Sequence, residues 1–314
     1  MSATLTSRLG RLDAIAADRG LTLEADAPLA PLTTLRVGGP ADRLVAPDSL
    51  DDLVRAVEAA LDAGVPYFIL GKGSDLVVAD AGIRGLVIRP RAGEAAIDGT
   101  RLRAEAGASM TGLAKRCARD GLAGFDWAIS IPGSFGGAIW ANAGAHGGEI
   151  ADVVTEVEVF DPGDRARHRL TRDDCGFGYR ESRFKHGAEV VLSGELALGR
   201  GDPAEITALV DGHQARRRAT QPLADQNAGS VFRNPSGDHA GRLVEAAGLK
   251  GHRIGTARVS ELHANFIVAD RGAGRAADVR ALGDHVRATV AQRFGVELEY
   301  EIAFVGAWDE RVGR

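Results

Sequence analysis

Cysteine is scarce, long apolar runs are missing, and no stretch of the chain carries a block of one charge. The 314 residues include two cysteines, Cys117 and Cys175, far apart and outside any CxxC pair. This excludes a disulfide framework and a zinc ladder, and it predicts a reducing compartment. No metal site is expected. No apolar run reaches the ~18 residues that a membrane span requires. The first twenty residues set Arg8, Arg11 and Asp13 among their apolar positions, which leaves no signal-peptide core. The expectation is a cytoplasmic protein without membrane insertion, a monomer or weak oligomer. The net charge is -5 and the arginines are scattered, so no basic stripe announces a nucleic-acid partner. Arg216, Arg217 and Arg218 form the one cluster. A solvated helix face explains them, while a phosphate contact by Arg217 or Arg218 stays open. Internal repeats, low-complexity tracts and Pro/Ser-rich hinges are also missing.

What is present is an ordinary globular composition, 45% hydrophobic and 26% charged, enough for two domains or one large one. From residue 49 the periodicity is clear. Leu50, Leu53, Val54, Val57 and Leu61 share a helical face, with Asp48 or Ser49 as cap and Gly64 as stop. PYFIL follows as a buried strand, then LVVAD, LVIRP and RLRAEAG as further strands. Ser109 can cap a second helix closed by Gly121, and EVEVF and EVVLSGELAL read as strands. After about 202 come a helix with Pro203 in its first turn, another ending before Gly248, the strand NFIVAD, and a long helix carrying Val279, Leu282, Val286, Val290 and Phe294. The last strand, VELEYEIAFVG, alternates strictly, with Val296, Leu298, Tyr300, Ile302 and Phe304 on one face. The pattern predicts an α+β fold, with a first region over 1–201 and a second over 202–314.

Glycine is concentrated where chemistry is expected. Residues 131–148, IPGSFGGAIWANAGAHGG, hold six glycines in eighteen positions. Turns between short strands would explain them; so would backbone that must approach a ligand closely, with its N–H groups turned inward. The loop Gly71-Lys72-Gly73-Ser74-Asp75 directly follows PYFIL, where successive N–H groups can form an anion nest. It is not a P-loop, since Pro66 stands where the first glycine is required and Gly73 follows Lys72. TLRVGGP, with Gly38 and Gly39, is a third glycine turn. GAGRAA at 272–277 imitates a dinucleotide fingerprint, with Glu299 further on. Too little chain follows Glu299 for the rest of a mononucleotide-binding half, so an ordinary loop and helix start is the better reading.

In order, the chain carries TLRVGGPA, LGKGSDLVVADAG, IPGSFGGAIWANAGAHGGEI, CGFGYRESRFK, QPLADQNAGSVFRNPSG, GLKGHRIGTARVSELHANFIV and LEYEIAFVG. This series resembles the UDP-N-acetylenolpyruvoylglucosamine reductase (MurB) family of peptidoglycan precursor synthesis, from about residue 30 to 306. No single motif is decisive, but seven in order are highly specific. The resemblance implies a two-part FAD-binding region of the vanillyl-alcohol-oxidase (PCMH) type followed by an α/β substrate domain. It also implies non-covalent FAD reduced by NADPH, and a nucleotide-sugar substrate whose enolpyruvyl ether becomes a lactyl ether. The short stretch between Tyr179-Arg180 and Gln221-Pro222 resembles the shorter form of the family, without an inserted tyrosine loop. Flavin-contacting positions carried over are Gly38, Gly39, Gly71, Lys72, Gly73, Ser74, Asp75, Ile131, Pro132, Gly133, Gly136, Gly137, Asn142, Ala143 and Gly144. Departures are Asp75 where asparagine is usual, Asp126 for a glutamate, Arg233 for a lysine, and Thr256 for a glycine.

Hydride addition to the methylene carbon of an enolpyruvyl group develops an enolate, which needs electrostatic stabilisation and a proton donor. Arg180 matches the family's enolate-stabilising position, and a bidentate, always-charged guanidinium suits that dianion. Ser230 matches the proton donor. Glu297, Glu299 and Glu301 share one face of the last strand, and only the resemblance selects Glu301, to orient the enolate or relay the proton. Taken alone, Arg180 reads as a surface arginine and Ser230 as a turn cap. Tyr179, Asn234, Lys250 and His263 fall where similar enzymes meet the nucleotide-sugar; for His263 a core histidine is an equal reading. Two alternatives remain: another flavin oxidase or dehydrogenase of the same fold, for which His146 is the candidate for covalent attachment, and a flavin- or nucleotide-sugar-binding protein without catalysis.

Overall fold

The computed structural model describes residues 4–308. The chain divides into two compact units. The first comprises residues 1–25, 43–72 and 85–217; the second comprises 26–42, 73–84 and 218–314. A single cut at 201 does not reproduce this division. The glycine segments around 35–39 and 73–78 pass to the second unit because Leu35, Val37 and Val77 are buried in one core with Phe232, Leu243, Val279 and Leu282. The helix Pro203–Thr220 stays largely with the first, where Ile206 and Val210 join a core with Leu102, Phe125 and Phe135.

In the first unit the helix Leu50–Ala63 starts as its pattern dictates. Ser49 Oγ accepts from the Asp52 N–H (3.1 Å), and Gly64 closes it in the left-handed region. Its apolar face buries Leu53, Ala56, Val57 and Ala60 with Leu86 and Ile88. The strands Tyr67–Ile69 and Ile83–Ile88 pair in parallel; Tyr67, Phe68 and Ile69 are half-buried, not buried. A five-stranded antiparallel sheet runs in the order Ala166–Thr171, Val154–Asp161, Val190–Ala197, Arg101–Glu105, Ala95–Asp98. The helix Met110–Arg119 packs its Met110, Leu113, Ala114 and Cys117 into the adjoining core. Ser109 precedes it but makes no cap bond; its hydroxyl meets the Thr111 hydroxyl at 3.1 Å. Both cysteines are buried, and burial pushes their thiols up, to about 12 for Cys117 and about 11 for Cys175, which leaves them inert packing groups.

In the second unit a four-stranded antiparallel sheet, ordered Gln226–Asn227, Ile267–Ala269, Ala257–Val259, Arg253–Ile254, is joined by the helices Ala240–Ala246 and Ala276–Phe294. Val279, Leu282, Val286 and Val290 are buried, whereas Phe294 is exposed at the helix end. The final strand is shorter than its alternation predicts. Only Ala303–Val305 forms a ladder, in parallel with Leu76–Val78, preceded by a lone bridge between Tyr300 and Phe232. Alternation reports which side chains are buried, and Leu298 and Ile302 are; it does not supply a neighbouring strand.

The fingerprint imitation at 272–277 is resolved by the same unit. The first amides of the helix Ala276–Phe294 donate to the Asp80 carboxylate, Ala276 N–H at 2.8 Å and Ala277 N–H at 3.1 Å. An internal anion therefore sits where a dinucleotide would place its pyrophosphate. Thr256 has its own role there: its hydroxyl donates to Asp278 (2.7 Å) and accepts from the Arg275 N–H (2.9 Å). Among the described residues no helix is long and apolar enough to cross a membrane.

Candidate active site

The densest glycine segment is not a free loop. Ser134 caps a short helix, Phe135–Ala141, and its hydroxyl accepts from the Gly137 N–H (3.3 Å). The approach to that helix runs alongside residues 106–110. Met110 N–H reaches the Gly133 carbonyl (3.3 Å), while the Phe135 and Gly136 N–H groups donate to the Ala108 and Ala106 carbonyls (2.9 Å each). The Ile131 N–H donates to Ala128 (3.0 Å). These amides are engaged within the protein and are not turned toward a ligand. A Cβ at Gly136 would lie 2.7 Å from the Ala106 Cβ, so packing against Ala106 explains that glycine. Gly137 is exposed, and a Cβ there meets only the Ser134 hydroxyl, at 3.2 Å. Gly136 thus has a packing reason inside the protein, whatever it meets from the flavin.

Asn142 ends the helix at φ 43 and is fully buried. Its amide donates to the Gly178 carbonyl (2.8 Å) and accepts from the Ala151 N–H (2.9 Å). Its side chain therefore braces the segment that carries Arg180. Ala143 continues the brace, accepting from the Ile150 N–H (3.1 Å). Pro132 is exposed beside the half-buried Ile131.

Gly178 and Glu181 exchange both backbone hydrogen bonds at 3.0 Å, which makes Tyr179-Arg180 a two-residue corner. Arg180 occupies the second place at φ 54, a left-handed conformation that costs a non-glycine residue on the order of 1 kcal/mol. Three contacts hold it there. Its Nη2 donates to the Gly144 carbonyl (2.7 Å), its own carbonyl accepts from Lys185 Nζ (2.7 Å), and its guanidinium lies 5.1 Å from the Tyr179 ring centre. Lys185 Nζ also lies 4.8 Å from the Trp140 ring centre. Tyr179 itself is half exposed, at 51%. Lys185 escaped the sequence reading. Its signal is its place five residues beyond Arg180, which has meaning only once the corner is known.

Lys72 lies three residues beyond the strand Tyr67–Ile69, in the same unit. Its ammonium is held below the ordinary lysine value first by burial and then by the charge of Arg89. Two cations sharing a half-buried place repel each other, and a phosphate or pyrophosphate relieves that repulsion. This arrangement fits a dinucleotide cofactor such as FAD. Arg89 is a second residue that sequence reasoning did not find. A Cβ at Gly71 would lie 2.6 Å from Ser134 Oγ, which brings the two glycine motifs together.

In the second unit the backbone of 33–39 folds against 73–80. The Thr34 N–H donates to the Gly73 carbonyl (2.9 Å), and the Gly39 N–H donates to Ala79 (2.9 Å). Gly73 (φ 62) and Gly38 (φ 110) adopt left-handed conformations, and a Cβ at either would lie 2.5–2.6 Å from Val78 or the Leu32 carbonyl. At Gly39 a Cβ would run into the Asp80 carbonyl. Ser74 and Asp75 are half-buried, and the Asp75 carbonyl accepts from the Ala303 N–H (3.1 Å). Two residues earlier, the Glu301 N–H donates to the Val231 carbonyl (2.9 Å). Ser230 and Glu301 thus lie on hydrogen-bonded neighbouring segments, both half-buried. Asn265 fixes Phe232, two residues beyond Ser230, accepting from its N–H (3.0 Å) and donating to its carbonyl (2.8 Å).

Three of the expected substrate residues gather about the helix Ala240–Ala246. Asn234 Oδ1 accepts from the Ala240 N–H (3.1 Å), and Lys250 pairs with Glu245 (2.9 Å). His263 Nδ1 accepts from the Asn265 N–H (3.2 Å), which leaves Nε2 to carry the proton of the neutral ring. Burial first, then the Lys250 charge, holds His263 below the ordinary histidine value. The ring also meets Phe266 edge-on at 4.8 Å, so the core-histidine reading describes part of its surroundings. In the arginine cluster, burial holds Arg217 below its ordinary value. Asp161, Asp164 and His168 bring possible metal ligands within 4.8 Å of one another, but Asp164 and His168 are exposed and paired to each other at 2.8 Å.

Residues 41–168 match the model of an FAD-binding domain, and residues 221–305 match that of the C-terminal domain of UDP-N-acetylenolpyruvoylglucosamine reductase. UDP-N-acetylenolpyruvoylglucosamine reductase 2 of Symbiobacterium thermophilum is 47% identical over 94% of this chain and 96% of its own. The reductase of Synechococcus sp. (strain RCC307) is 42% identical over 92% and 95%. The crystal structure of UDP-N-acetylenolpyruvylglucosamine reductase (MurB) from Thermus caldophilus superposes with a TM-score of 0.77 at 35% identity, covering 90% of this chain and 99% of that one. The chain belongs to the UDP-N-acetylenolpyruvoylglucosamine reductase family.

Proposed function

We infer that the protein reduces the enolpyruvyl ether of UDP-N-acetylglucosamine-enolpyruvate to UDP-N-acetylmuramate, with NADPH as reductant and non-covalently held FAD as carrier, in peptidoglycan precursor synthesis in the cytoplasm. The observation that carries this reading is the Arg180 corner. The Arg180 backbone is held in a left-handed conformation by Lys185 and the Gly178–Glu181 pair, and its guanidinium by the Gly144 carbonyl; such strain is retained where a charge must be pre-organised. FAD, when bound, would supply the hydride chemistry that links NADPH to the substrate's methylene carbon. Lys72 and Arg89 are suited to the flavin's pyrophosphate. Arg180 stabilises the enolate through its carboxylate. Ser230 donates the proton to the adjoining carbon, and Glu301 orients the enolate or restores the Ser230 proton. Tyr179, Asn234, Lys250 and His263 bind the nucleotide-sugar. The first region carries the flavin, and the second selects the substrate.

Against covalent flavin attachment stands the engagement of His146, whose Nε2 is paired with Ser130 Oγ at 2.8 Å and whose ring stacks on His213. The test separates the two half-reactions in Ser230→Ala. Flavin reduction by NADPH should proceed at the unmodified rate, while reoxidation by the enolpyruvyl nucleotide-sugar should fall by about 10²-fold or more, the usual worth of general acid catalysis. Equal loss of both half-reactions overturns the proton-donor role. NADPH oxidation that ignores the nucleotide-sugar overturns the reaction itself.

A further inference from the structure

The hairpin Gly144-Ala145…Gly148-Glu149 is two residue pairs long and carries glycine at 144, 147 and 148. A two-stranded hairpin of this size has little stability of its own, yet its Gly144 carbonyl holds the Arg180 guanidinium at 2.7 Å. Something else must fix it. At its tip His146 stands at φ 54. Its Nε2 meets Ser130 Oγ at 2.8 Å. Its ring lies on that of His213, centroids 3.9 Å apart and planes 17° from parallel. His213 comes from the helix Pro203–Thr220 and is itself fixed by Asp126, Nε2 to Oδ2 at 3.0 Å. Asp126 and Ser130 open and close one short turn, so the four side chains form a closed clasp between that turn, the helix and the hairpin.

We propose that His213 is a positioning residue: stacked on His146 and oriented by Asp126, it fixes the 144–149 hairpin and, through the Gly144 carbonyl, the guanidinium of Arg180. This rests on the enolate-stabilising role given to Arg180 above. The clasp also has a sense with respect to pH. Stacked imidazoles tolerate one charge at this distance and resist two. Burial first, then the charges of His213 and Arg216, oppose protonation of His146, and Asp126 favours it. Acidification that charges both rings therefore drives them apart and releases the hairpin.

The test uses the FAD-loaded protein with His213→Ala, His213→Phe, Arg180→Ala and the double variant His213→Ala/Arg180→Ala. His213→Ala should slow reoxidation by the enolpyruvyl nucleotide-sugar about tenfold and leave reduction by NADPH within twofold. His213→Phe, which keeps a stacking face, should restore most of the rate near neutral pH and lose its dependence on mild acidification. Added to Arg180→Ala, His213→Ala should cost nothing further. Without substrate, the Arg180 Nε–H resonance should shift in His213→Ala, and the His146 ring should titrate nearer its ordinary value. A reoxidation rate unchanged in Arg180→Ala refutes the role of Arg180. Losses that multiply in the double variant, or an Arg180 resonance that does not move, refute the positioning role of His213.

Discussion

Replacing Gly136 by alanine adds one methyl group at a place where the neighbour cannot give way. The Cβ would lie 2.7 Å from Ala106 Cβ, 3.2 Å from its Cα and 3.3 Å from its carbonyl oxygen. The approach is pinned by the Gly136 N–H donating to that same carbonyl at 2.9 Å. Overpacking of a rigid site costs about 1–3 kcal/mol, and the better helix propensity of alanine offsets at most about 1 kcal/mol. The expected net loss is about 1–2 kcal/mol, with a thermal midpoint lowered by roughly 2–4 °C for each kcal/mol. Gly137→Ala is the control. Gly137 is exposed, its only near neighbour is the rotatable Ser134 hydroxyl at 3.2 Å, and the helix gains up to about 1 kcal/mol. The assay is thermal and urea unfolding of both variants stripped of flavin. If flavin-free Gly136→Ala is as stable as the parent and only its FAD affinity drops, the flavin and not Ala106 sets this glycine. Equal losses in the two variants would also refute the packing argument.

Lys185→Met removes the ammonium that holds the Arg180 carbonyl. A hydrogen bond from a charged group contributes about 1.5 kcal/mol or more, so substrate-driven reoxidation should slow about tenfold in stopped flow, with reduction by NADPH unchanged. Asp80→Ala uncaps the helix Ala276–Phe294 and should cost about 0.5–2 kcal/mol in urea unfolding; an unchanged midpoint would show that water replaces the carboxylate without loss. His146 gives a pH dependence of known sign. The unfolded chain takes up the imidazole proton near the ordinary 6.5, the folded chain only at lower pH. Between those two values the unfolded state binds more protons, so stability falls as pH drops through the window and is level above it. The difference in urea midpoint between the parent and His146→Gln, followed from pH 7.5 to 5, should show that slope; a flat difference would refute it.

How much of this was legible beforehand follows from the range over which each signal acts. Helix periodicity, the Ser49 and Gly64 caps and the order of seven motifs depend on residues a few positions apart, and the chain alone determined them. The motifs also selected Arg180, Ser230 and Glu301, whose types suit an enolate, a proton transfer and its support. What the sequence could not carry is long-range company. Leu35, Val37 and Val77 join the core of the second unit because their partners lie beyond residue 228. Asp80 caps a helix that begins nearly two hundred residues later. Arg89 joins Lys72, and Lys185 braces Arg180, only after folding. A glycine in a sequence says that a side chain is not tolerated; it does not name the obstacle. At Gly136 the tertiary structure supplies one, Ala106, because that glycine's backbone is hydrogen-bonded against it.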